Sequence, residues 1–166
     1  MAAESIRVRE FLTDLLPFFY GRRVTYVDVG AFEGKIFHEV LAAGLEVREA
    51  HLFEPNEESL RAAKEGTAKL FKGHSLNFHQ LAVGSAPTKV TMRAARSMTK
   101  VTAAGSASKA TSDNGSTFQV ECTTLDHMIE SFGERHISLL KVDVEGFELE
   151  VLNGARRALA DQVIDV

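Results

Sequence analysis

The sequence predicts a three-layer α/β fold built on a parallel sheet. Segments with the apolar spacing of strands alternate along the chain with segments that have the spacing of helices. The strand-like segments are apolar at almost every position, as expected for parallel strands that helices cover on both faces. Three of them end in an acidic residue: Asp28, Glu54 or Asp143. Because the carboxyl ends of parallel strands share one edge of a sheet, we expect these three side chains to lie near one another.

The composition is that of a single soluble domain over residues 1–166. The chain is 45% hydrophobic and 25% charged, has a net charge of −4, and contains one cysteine, Cys122. This charge balance does not favour a nucleic-acid partner, and no apolar stretch is long enough to span a membrane. One cysteine allows no internal disulfide, and the six histidines lack metal-ligand spacing, so we expect no metal and a buried thiol. With no signal pattern at the N-terminus, the expected location is cytoplasmic.

The first half of the chain predicts three helices and three strands. Gly44 and Gly66 are placed to end the second and third helices. Asn56, followed by Glu57 and Glu58, favours a capped start for the third helix. The predicted order is a helix over 4–19, a strand over 24–29, a helix over 33–43, a strand over 47–53, a helix over 57–66 and a strand over 76–83.

The second half is less regular. Predicted strands over 88–92 and 117–123 flank a segment rich in Ser, Thr, Ala, Gly and Lys, so we expect a flexible insertion loop over 93–117. We interpret this loop as a lid over a site, with a plain solvent loop as the alternative. Three more elements follow: a short helix from a capping-box pattern at Thr123 to about 132, a fourth parallel strand over 137–142 and a helix over 147–159. Residues 163–166 look like the start of a fifth strand.

The turn after the first strand has the pattern of a nucleotide-type site. Gly30 tolerates a tight turn and a close ligand, and Gly34 opens a helix whose unpaired N–H groups face the same region. A dinucleotide-binding turn would have glycine in place of Phe32, and its pyrophosphate would meet the carboxylates of Asp28 and Glu33. This pattern favours a cofactor with a cationic amine and a sulfonium, S-adenosylmethionine, over NAD.

Glu54 is the predicted ribose ligand of that cofactor. An acid at the end of the second strand accepts hydrogen bonds from both ribose hydroxyls, and this needs a charged acceptor. The same position suits NAD, so Glu54 does not by itself choose between the two cofactors. The alternative is that Glu54 only caps the helix that follows, beside Asn56.

Four stretches of the chain resemble the FkbM-type family of S-adenosylmethionine-dependent methyltransferases. Together they extend over about residues 24–155, most of the chain, and have the family's order and spacing. The run over 140–146 is the most specific, whereas the first is common to many methyltransferases. One departure is Phe32, where the family usually has Asn. The four stretches are Val-Asp-Val-Gly-Ala-Phe-Glu-Gly over 27–34, Phe-Glu-Pro over 53–55, Thr-Leu-Asp over 124–126, and Leu-Lys-Val-Asp-Val-Glu-Gly over 140–146 with its continuation to Ala155.

The resemblance implies a Rossmann-like class I methyltransferase sheet and methyl transfer from S-adenosylmethionine to a hydroxyl of a sugar or natural-product acceptor. The implied sheet has two strands beyond the fifth, so the chain is expected to be a truncated, C-terminally incomplete domain. A NAD-type oxidoreductase and a non-catalytic cofactor-binding fragment are the alternatives. The predicted cofactor-binding residues are Asp28, Gly30, Ala31, Gly34, Glu54, Ala82 and Val83.

Each predicted residue has a role. Asp28 contacts the cofactor amine or orders the turn, the glycines and Ala31 frame the methionine end, and Ala82 with Val83, ending the third strand, borders adenine. Asp143 is the candidate base that takes the acceptor's proton during attack. Lys141 orients the acceptor or stabilises the developing alkoxide, and Glu145 contacts the acceptor or the cofactor amine. The alternative for these last three residues is a lysine–carboxylate pair that braces the strand end.

Overall fold

The computed structural model shows an α/β fold with helices on both faces of a four-stranded parallel sheet and a second four-stranded sheet beside it. It describes residues 2–94, 99–102, 117–133 and 135–166. None of the helices in these ranges is long and apolar enough to cross a membrane. The elements are α1 (Ala2–Phe19), β1 (Val24–Val29), α2 (Lys35–Ala42), β2 (Val47–Phe53), α3 (Glu57–Thr67), β3 (Ser75–His79), β4 (Ala82–Val83), β5 (Thr88–Ala94), β6 (Thr99–Thr102), β7 (Thr117–Thr123), α4 (Leu125–Ile129), β8 (Leu139–Val142), α5 (Glu148–Asn153) and α6 (Arg156–Ala160).

The central sheet has four parallel strands in the order β3-β2-β1-β8. The predicted parallel α/β sheet is therefore confirmed. The segment after α6 adds to the free side of β8 through a parallel bridge between Ile164 and Ile137. Since β1 lies between β2 and β8, the carboxyl ends of these three strands are adjacent at one edge of the sheet. Asp28 lies near the end of β1, and Glu54 and Asp143 directly follow β2 and β8.

The alternation of β1 side chains divides the core into two layers. Val24 and Tyr26 point to one face and pack with α1 and α2, including the buried Phe37. Val27 and Val29 point to the other face and pack with α4, α5 and α6. Every residue of β1 is buried, which is why the strand reads as an almost continuous apolar run in the sequence.

The predicted third strand over 76–83 is wrong as a single strand. The parallel strand β3 ends at His79, whose carbonyl accepts the last hydrogen bond, from the Glu54 N–H. The next N–H that would face β3 is that of Asn56, and it donates to the Glu54 carboxylate at 2.8 Å instead of continuing the ladder. The chain therefore leaves the sheet, and Ala82 and Val83 form β4, which pairs with β7 in the second sheet.

The second sheet has the order β4-β7-β5-β6 and occupies part of the predicted loop over 93–117. Strand β6 pairs antiparallel with β5, so residues 99–102 are not a loop. The rest of the predicted loop, residues 95–98 and 103–116, lies outside the described residues. Met92, Val120 and Cys122 bury one face of this sheet together with Ala82, and Cys122 is the expected buried free thiol.

The predicted helix over 147–159 is two short helices, α5 and α6. The break lies at Gly154, where a Cβ atom would overlap the backbone carbonyl oxygen of Gly84. The side chain of Asp126 stabilises the start of α6. Its two carboxylate oxygens accept the N–H groups of Arg157 (3.0 Å) and Ala158 (2.9 Å) there. The Asp of the Thr-Leu-Asp stretch is thus a helix cap.

Candidate active site

The turn after β1 and the end of β8 touch at the carboxyl edge of the sheet. Gly30 has φ +79°, and a Cβ at this position would overlap the carbonyl oxygen of Asp143. The Asp143 N–H in turn donates to the Val29 carbonyl at 3.0 Å. Only glycine allows this approach. The turn predicted to hold a cofactor and the predicted base therefore lie side by side.

Backbone groups build the turn itself. The N–H groups of Gly30 and Ala31 both donate to the Phe53 carbonyl at 3.0 Å, and the Gly34 N–H donates to Ala31 at 2.8 Å. Gly34, with φ +78°, is the N-cap residue of α2, and no side chain caps that helix start within the described residues. The N–H groups of the first turn of α2 thus remain uncapped beside the turn.

Glu54 ties this turn to the start of α3. Its side chain is buried, at 4% exposure. One carboxylate oxygen accepts the Phe32 N–H at 2.9 Å and the other accepts the Asn56 N–H at 2.8 Å. Burial raises the pKa of Glu54, and the two N–H donors and Lys141 oppose that rise. Each oxygen keeps acceptor capacity beyond these bonds, so capping and the predicted ribose contact are compatible.

Phe32 has an unusual backbone conformation for an aromatic residue, with φ +50°. Its ring lies 5.2 Å from the Lys35 ammonium, which also pairs with the Glu33 carboxylate at 2.8 Å. The charge of Glu33 is therefore compensated by Lys35. This carboxylate opposes an anionic ligand less strongly than the sequence alone suggests.

Asp28 is fully buried and pairs with Lys141. The two residues are directly opposite in the β1–β8 register. The Lys141 Nζ lies 2.9 Å from Asp28 Oδ1, off the axis of a well-aligned hydrogen bond, so the contact is an ion pair. The Tyr26 hydroxyl donates to Asp28 Oδ2 at 3.0 Å. Burial raises the pKa of Asp28, opposed by Lys141 and Tyr26. This arrangement favours the turn-ordering role over a direct cofactor contact.

Lys141 also holds the turn directly, because its ammonium donates to the Gly30 carbonyl at 2.6 Å. Its distance to Asp143 Oδ2 is 4.0 Å, compared with 2.9 Å to Asp28. The expected lysine–carboxylate brace exists, but the shorter of its two ion pairs is with Asp28 of β1, and the longer one is with Asp143. Sequence reasoning placed both residues at strand ends and missed their pairing.

Asp143 remains the exposed carboxylate at this edge, with 60% of its side chain accessible. The turn beyond it contains two left-handed residues, Glu145 (φ +54°) and Gly146 (φ +89°). The Glu148 carboxylate closes this turn by accepting the N–H groups of Gly146 at 3.1 Å and Val144 at 3.4 Å. Asp143 is therefore held on an ordered turn and is free to reach a ligand.

The remaining predicted site residues lie elsewhere. Ala82 and Val83 are buried in β4 of the second sheet and do not end β3, so that part of the prediction is wrong; their contact with adenine stays a prediction. Tyr26 was missed, although Tyr26 and Asp28 are two residues apart in a strand and so share a face. The described residues contain no group of three or more His, Cys, Asp or Glu side chains that could hold a metal ion.

The model of the methyltransferase FkbM domain family matches residues 28–166, from Asp28 to the last residue. The chain belongs to the FkbM methyltransferase domain family. The family match includes the turn after β1, Glu54 and the end of β8. The residues that the fold brings to one edge of the sheet therefore all lie within the range that the family model matches.

A crystal structure of methyltransferase FkbM from Methylobacillus flagellatus KT has a similar fold, with a TM-score of 0.56 and 18% identity. The similarity covers 84% of this chain and 30% of that chain, so the chain spans about a third of the length of this structural relative. At this identity the likeness concerns the fold alone. A comparison with curated proteins gave no match.

Proposed function

We propose that this FkbM-family methyltransferase domain is an S-adenosylmethionine-dependent O-methyltransferase acting on a hydroxyl of a sugar or natural-product acceptor. One observation carries the proposal: the contact of Gly30 with Asp143 sets a cofactor-type turn beside an exposed carboxylate. Transfer between two bound molecules requires such proximity, because alignment of the reacting groups supplies several kcal/mol of the barrier reduction.

The residues at the edge fit this cofactor. When bound, S-adenosylmethionine supplies an electrophilic methyl group on its sulfonium. Gly30, Ala31 and Gly34 would frame the methionine end with backbone atoms, since the two glycines have no side chain and Ala31 has only a methyl group. Glu54 would accept the ribose hydroxyls with the acceptor capacity left on its two oxygens. The ion pairs of Asp28 and Glu33 leave the turn close to neutral, so family membership, more than charge, favours this cofactor over NAD.

Asp143 would act as the general base. An alcohol is a weak nucleophile, so its proton should leave during attack, and an exposed carboxylate beside the turn can accept it. Lys141 is engaged with Asp28 and Gly30, so its contribution is to fix the turn rather than to bind the acceptor freely. Glu145 lies in the left-handed turn after Asp143 and would contact the acceptor from there.

Calorimetry with S-adenosylhomocysteine and NAD tests the cofactor. The wild-type protein should bind S-adenosylhomocysteine, and Glu54→Ala should weaken that binding by about tenfold or more, because a charge-assisted hydrogen bond contributes about 1.5–3 kcal/mol. Glu57→Ala is the matched control, since Glu57 is an exposed acid in the first turn of α3. Binding of NAD without any response to S-adenosylhomocysteine would overturn the proposal.

Methyl transfer to a panel of hydroxyl acceptors then tests the base. Asp143→Asn should lower turnover about 10²–10⁴-fold and leave S-adenosylhomocysteine affinity unchanged. Glu145→Gln, two residues further on, should have a smaller effect. Unchanged turnover in Asp143→Asn would remove the base role while leaving the cofactor assignment intact.

A further inference from the structure

We infer that Tyr26 is a positioning residue of the cofactor turn: its hydroxyl fixes Asp28, Asp28 fixes the Lys141 ammonium, and the ammonium holds the Gly30 carbonyl. This inference rests on the proposed function, because the turn matters only if it receives a cofactor. It adds a residue that lies inside the sheet and does not itself line the site.

Three contacts in series connect the interior of the sheet to the turn. The Tyr26 hydroxyl donates to Asp28 Oδ2 at 3.0 Å. Asp28 Oδ1 lies 2.9 Å from Lys141 Nζ. Lys141 Nζ donates to the Gly30 carbonyl at 2.6 Å. Tyr26 and Asp28 are both at 0% exposure, so water cannot replace either partner.

The Tyr26 hydroxyl determines which donors the Asp28 carboxylate contacts. Without that hydroxyl, Asp28 Oδ2 would be a buried acceptor with no donor, which is costly. The Lys141 ammonium is a donor within reach, since it lies 2.9 Å from the other carboxylate oxygen of Asp28. The carboxylate would therefore turn toward Lys141 and draw the ammonium away from Gly30. The predicted result is a looser turn while β1 itself stays paired.

The aromatic ring of Tyr26 makes a packing contact that is separate from the hydrogen bond of its hydroxyl. It stacks on Phe37 of α2, with ring centroids 5.0 Å apart and an angle of 11° between the planes. Packing and hydrogen bonding can therefore be tested apart, with Phe37→Leu disturbing the packing and Tyr26→Phe removing only the hydroxyl. Tyr20→Phe is the matched control, because the other tyrosine of the chain is 91% exposed.

Hydrogen exchange of single backbone amides tests the inference without a cofactor. In Tyr26→Phe, the amides of Gly30, Ala31 and Phe32 should exchange about tenfold faster relative to those of Ala50 and Leu52 in β2. Phe37→Leu should accelerate both groups equally, as a general loss of stability does, and Tyr20→Phe should change neither. Equal acceleration of both groups in Tyr26→Phe would overturn the inference.

Affinity supplies the second readout. Tyr26→Phe should weaken S-adenosylhomocysteine binding about 5- to 10-fold, whereas Tyr20→Phe should leave the affinity unchanged. If the wild-type protein does not bind S-adenosylhomocysteine, the proposed function fails, and hydrogen exchange still decides whether Tyr26 holds the turn. If the wild-type protein binds and Tyr26→Phe binds equally well, the positioning role fails alone.

A measurement on the wild-type protein covers the case in which Tyr26→Phe does not fold. A buried, hydrogen-bonded hydroxyl proton exchanges slowly, so the Tyr26 hydroxyl should give a resolved proton resonance in NMR spectra. Changing Lys141→Arg should shift this resonance, because the two groups share Asp28. Absence of a protected hydroxyl resonance would overturn the inference.

Discussion

Two buried polar networks lie on opposite faces of the same parallel sheet. The first, the Asp28 network, consists of Tyr26, Asp28, Lys141 and the Gly30 carbonyl, on the face covered by α1 and α2. The second, the Glu49 network, consists of Glu49, His51 and His79 on the other face. Both contain a carboxylate buried among strands, but they differ in charge balance and in what they reach.

The Glu49 network connects Glu49 to His79 through the His51 ring, and Glu49 Oε1 also accepts the Gly133 N–H at 3.2 Å. His51 Nε2 lies 2.8 Å from Glu49 Oε1, and His51 Nδ1 lies 3.1 Å from His79 Nε2. Phe132 stacks on the His51 ring, and a cavity of about 430 Å³ opens beside Glu49 and His51. Burial lowers the pKa of His51, and it lowers the pKa of His79 to about 4. Both imidazoles are therefore neutral near pH 7.

The comparison teaches that burial alone does not tell which network serves a site. The Asp28 network pairs two full charges and ends on the backbone of the turn that follows β1. The Glu49 network bonds its carboxylate to a neutral ring and extends along the face of β2 and β3. We therefore expect the first to control stability and the site together, and the second to control mainly the response to pH.

The largest expected difference between the two networks is in the stability lost when the carboxylate of each is replaced by an amide. Asp28→Asn should lower the free energy of unfolding by about 3 kcal/mol, because the largely buried Lys141 ammonium then loses its nearer counter-charge and keeps only that of Asp143, at 4.0 Å. Glu49→Gln should cost about 1–2 kcal/mol, since the neutral His51 imidazole and the Gly133 N–H can also donate to an amide oxygen. Urea unfolding of both variants measures the two costs. Equal costs would show that the ion pair with Lys141 has no special weight.

The next difference is in the pH dependence of stability. The folded pKa of His79, about 4, lies below the unfolded value near 6.5, so the unfolded chain binds more protons between these two pH values. Stability from this group is complete above pH 6.5 and is lost as the pH falls toward 4. Because His79 is partly exposed, solvent screening reduces the loss to about 1–2 kcal/mol. His79→Gln should flatten unfolding free energy against pH in this window.

The Asp28 network should respond with the opposite sign. Burial raises the folded pKa of Asp28 above its unfolded value, so its contribution is present below that unfolded value and declines as the pH rises through the folded pKa. Asp28→Asn should therefore steepen the rise of stability with pH, whereas His79→Gln flattens it. Ser131→Ala, an exposed change on the lining of the same cavity that removes no titratable group, is the control and should leave the slope as it is. Slopes that change in the same direction would contradict the assignment of the two networks.

The sequence predicted the elements that form the Asp28 network but not its connections. Acids at strand ends, the glycine turn and the parallel order are local or periodic signals, and each is confirmed by the strands β1, β2 and β8. The pairing of Asp28 with Lys141 depends on the register of two strands more than 100 residues apart, which no local pattern encodes. Asp28 and Lys141 each lie one residue before the end of their strand, so a parallel pairing of β1 with β8 that aligned the two ends would have placed them opposite each other.

The errors have the same physical origin. Ala82 and Val83 continue the apolar spacing of β3, yet the ladder ends at His79, where the next N–H of the neighbouring chain, that of Asn56, turns to the Glu54 carboxylate, and the two residues join the second sheet. Likewise, Gly154 breaks the helical spacing after α5 because the Gly84 backbone lies against it. In each case a tertiary partner overrides a correct local preference. The Glu49 network was overlooked because Glu49 and His51 interrupt an otherwise apolar strand without a recognisable motif.

The smallest expected effect concerns the residue that departs from the family pattern at the turn. Phe32 holds φ +50° between Gly30 and Gly34, a conformation that asparagine adopts more easily than phenylalanine does. Phe32→Asn keeps the N–H that Glu54 accepts and should stabilise the fold by about 0.5–1 kcal/mol, after loss of the exposed contact with Lys35. A shift in the urea midpoint measures this gain.

Gln162→Asn is the matched control, because Gln162 has φ +55° at an exposed position outside both networks. A similar gain in both variants means that Phe32 carries only backbone strain, and S-adenosylhomocysteine affinity should then be unchanged in Phe32→Asn. A gain in Gln162→Asn with a loss in Phe32→Asn would mean that the aromatic ring supports the turn. Because the Asp28 network holds the same turn through Gly30, that result would mean that both the buried ion pair and a half-buried ring stabilise the turn.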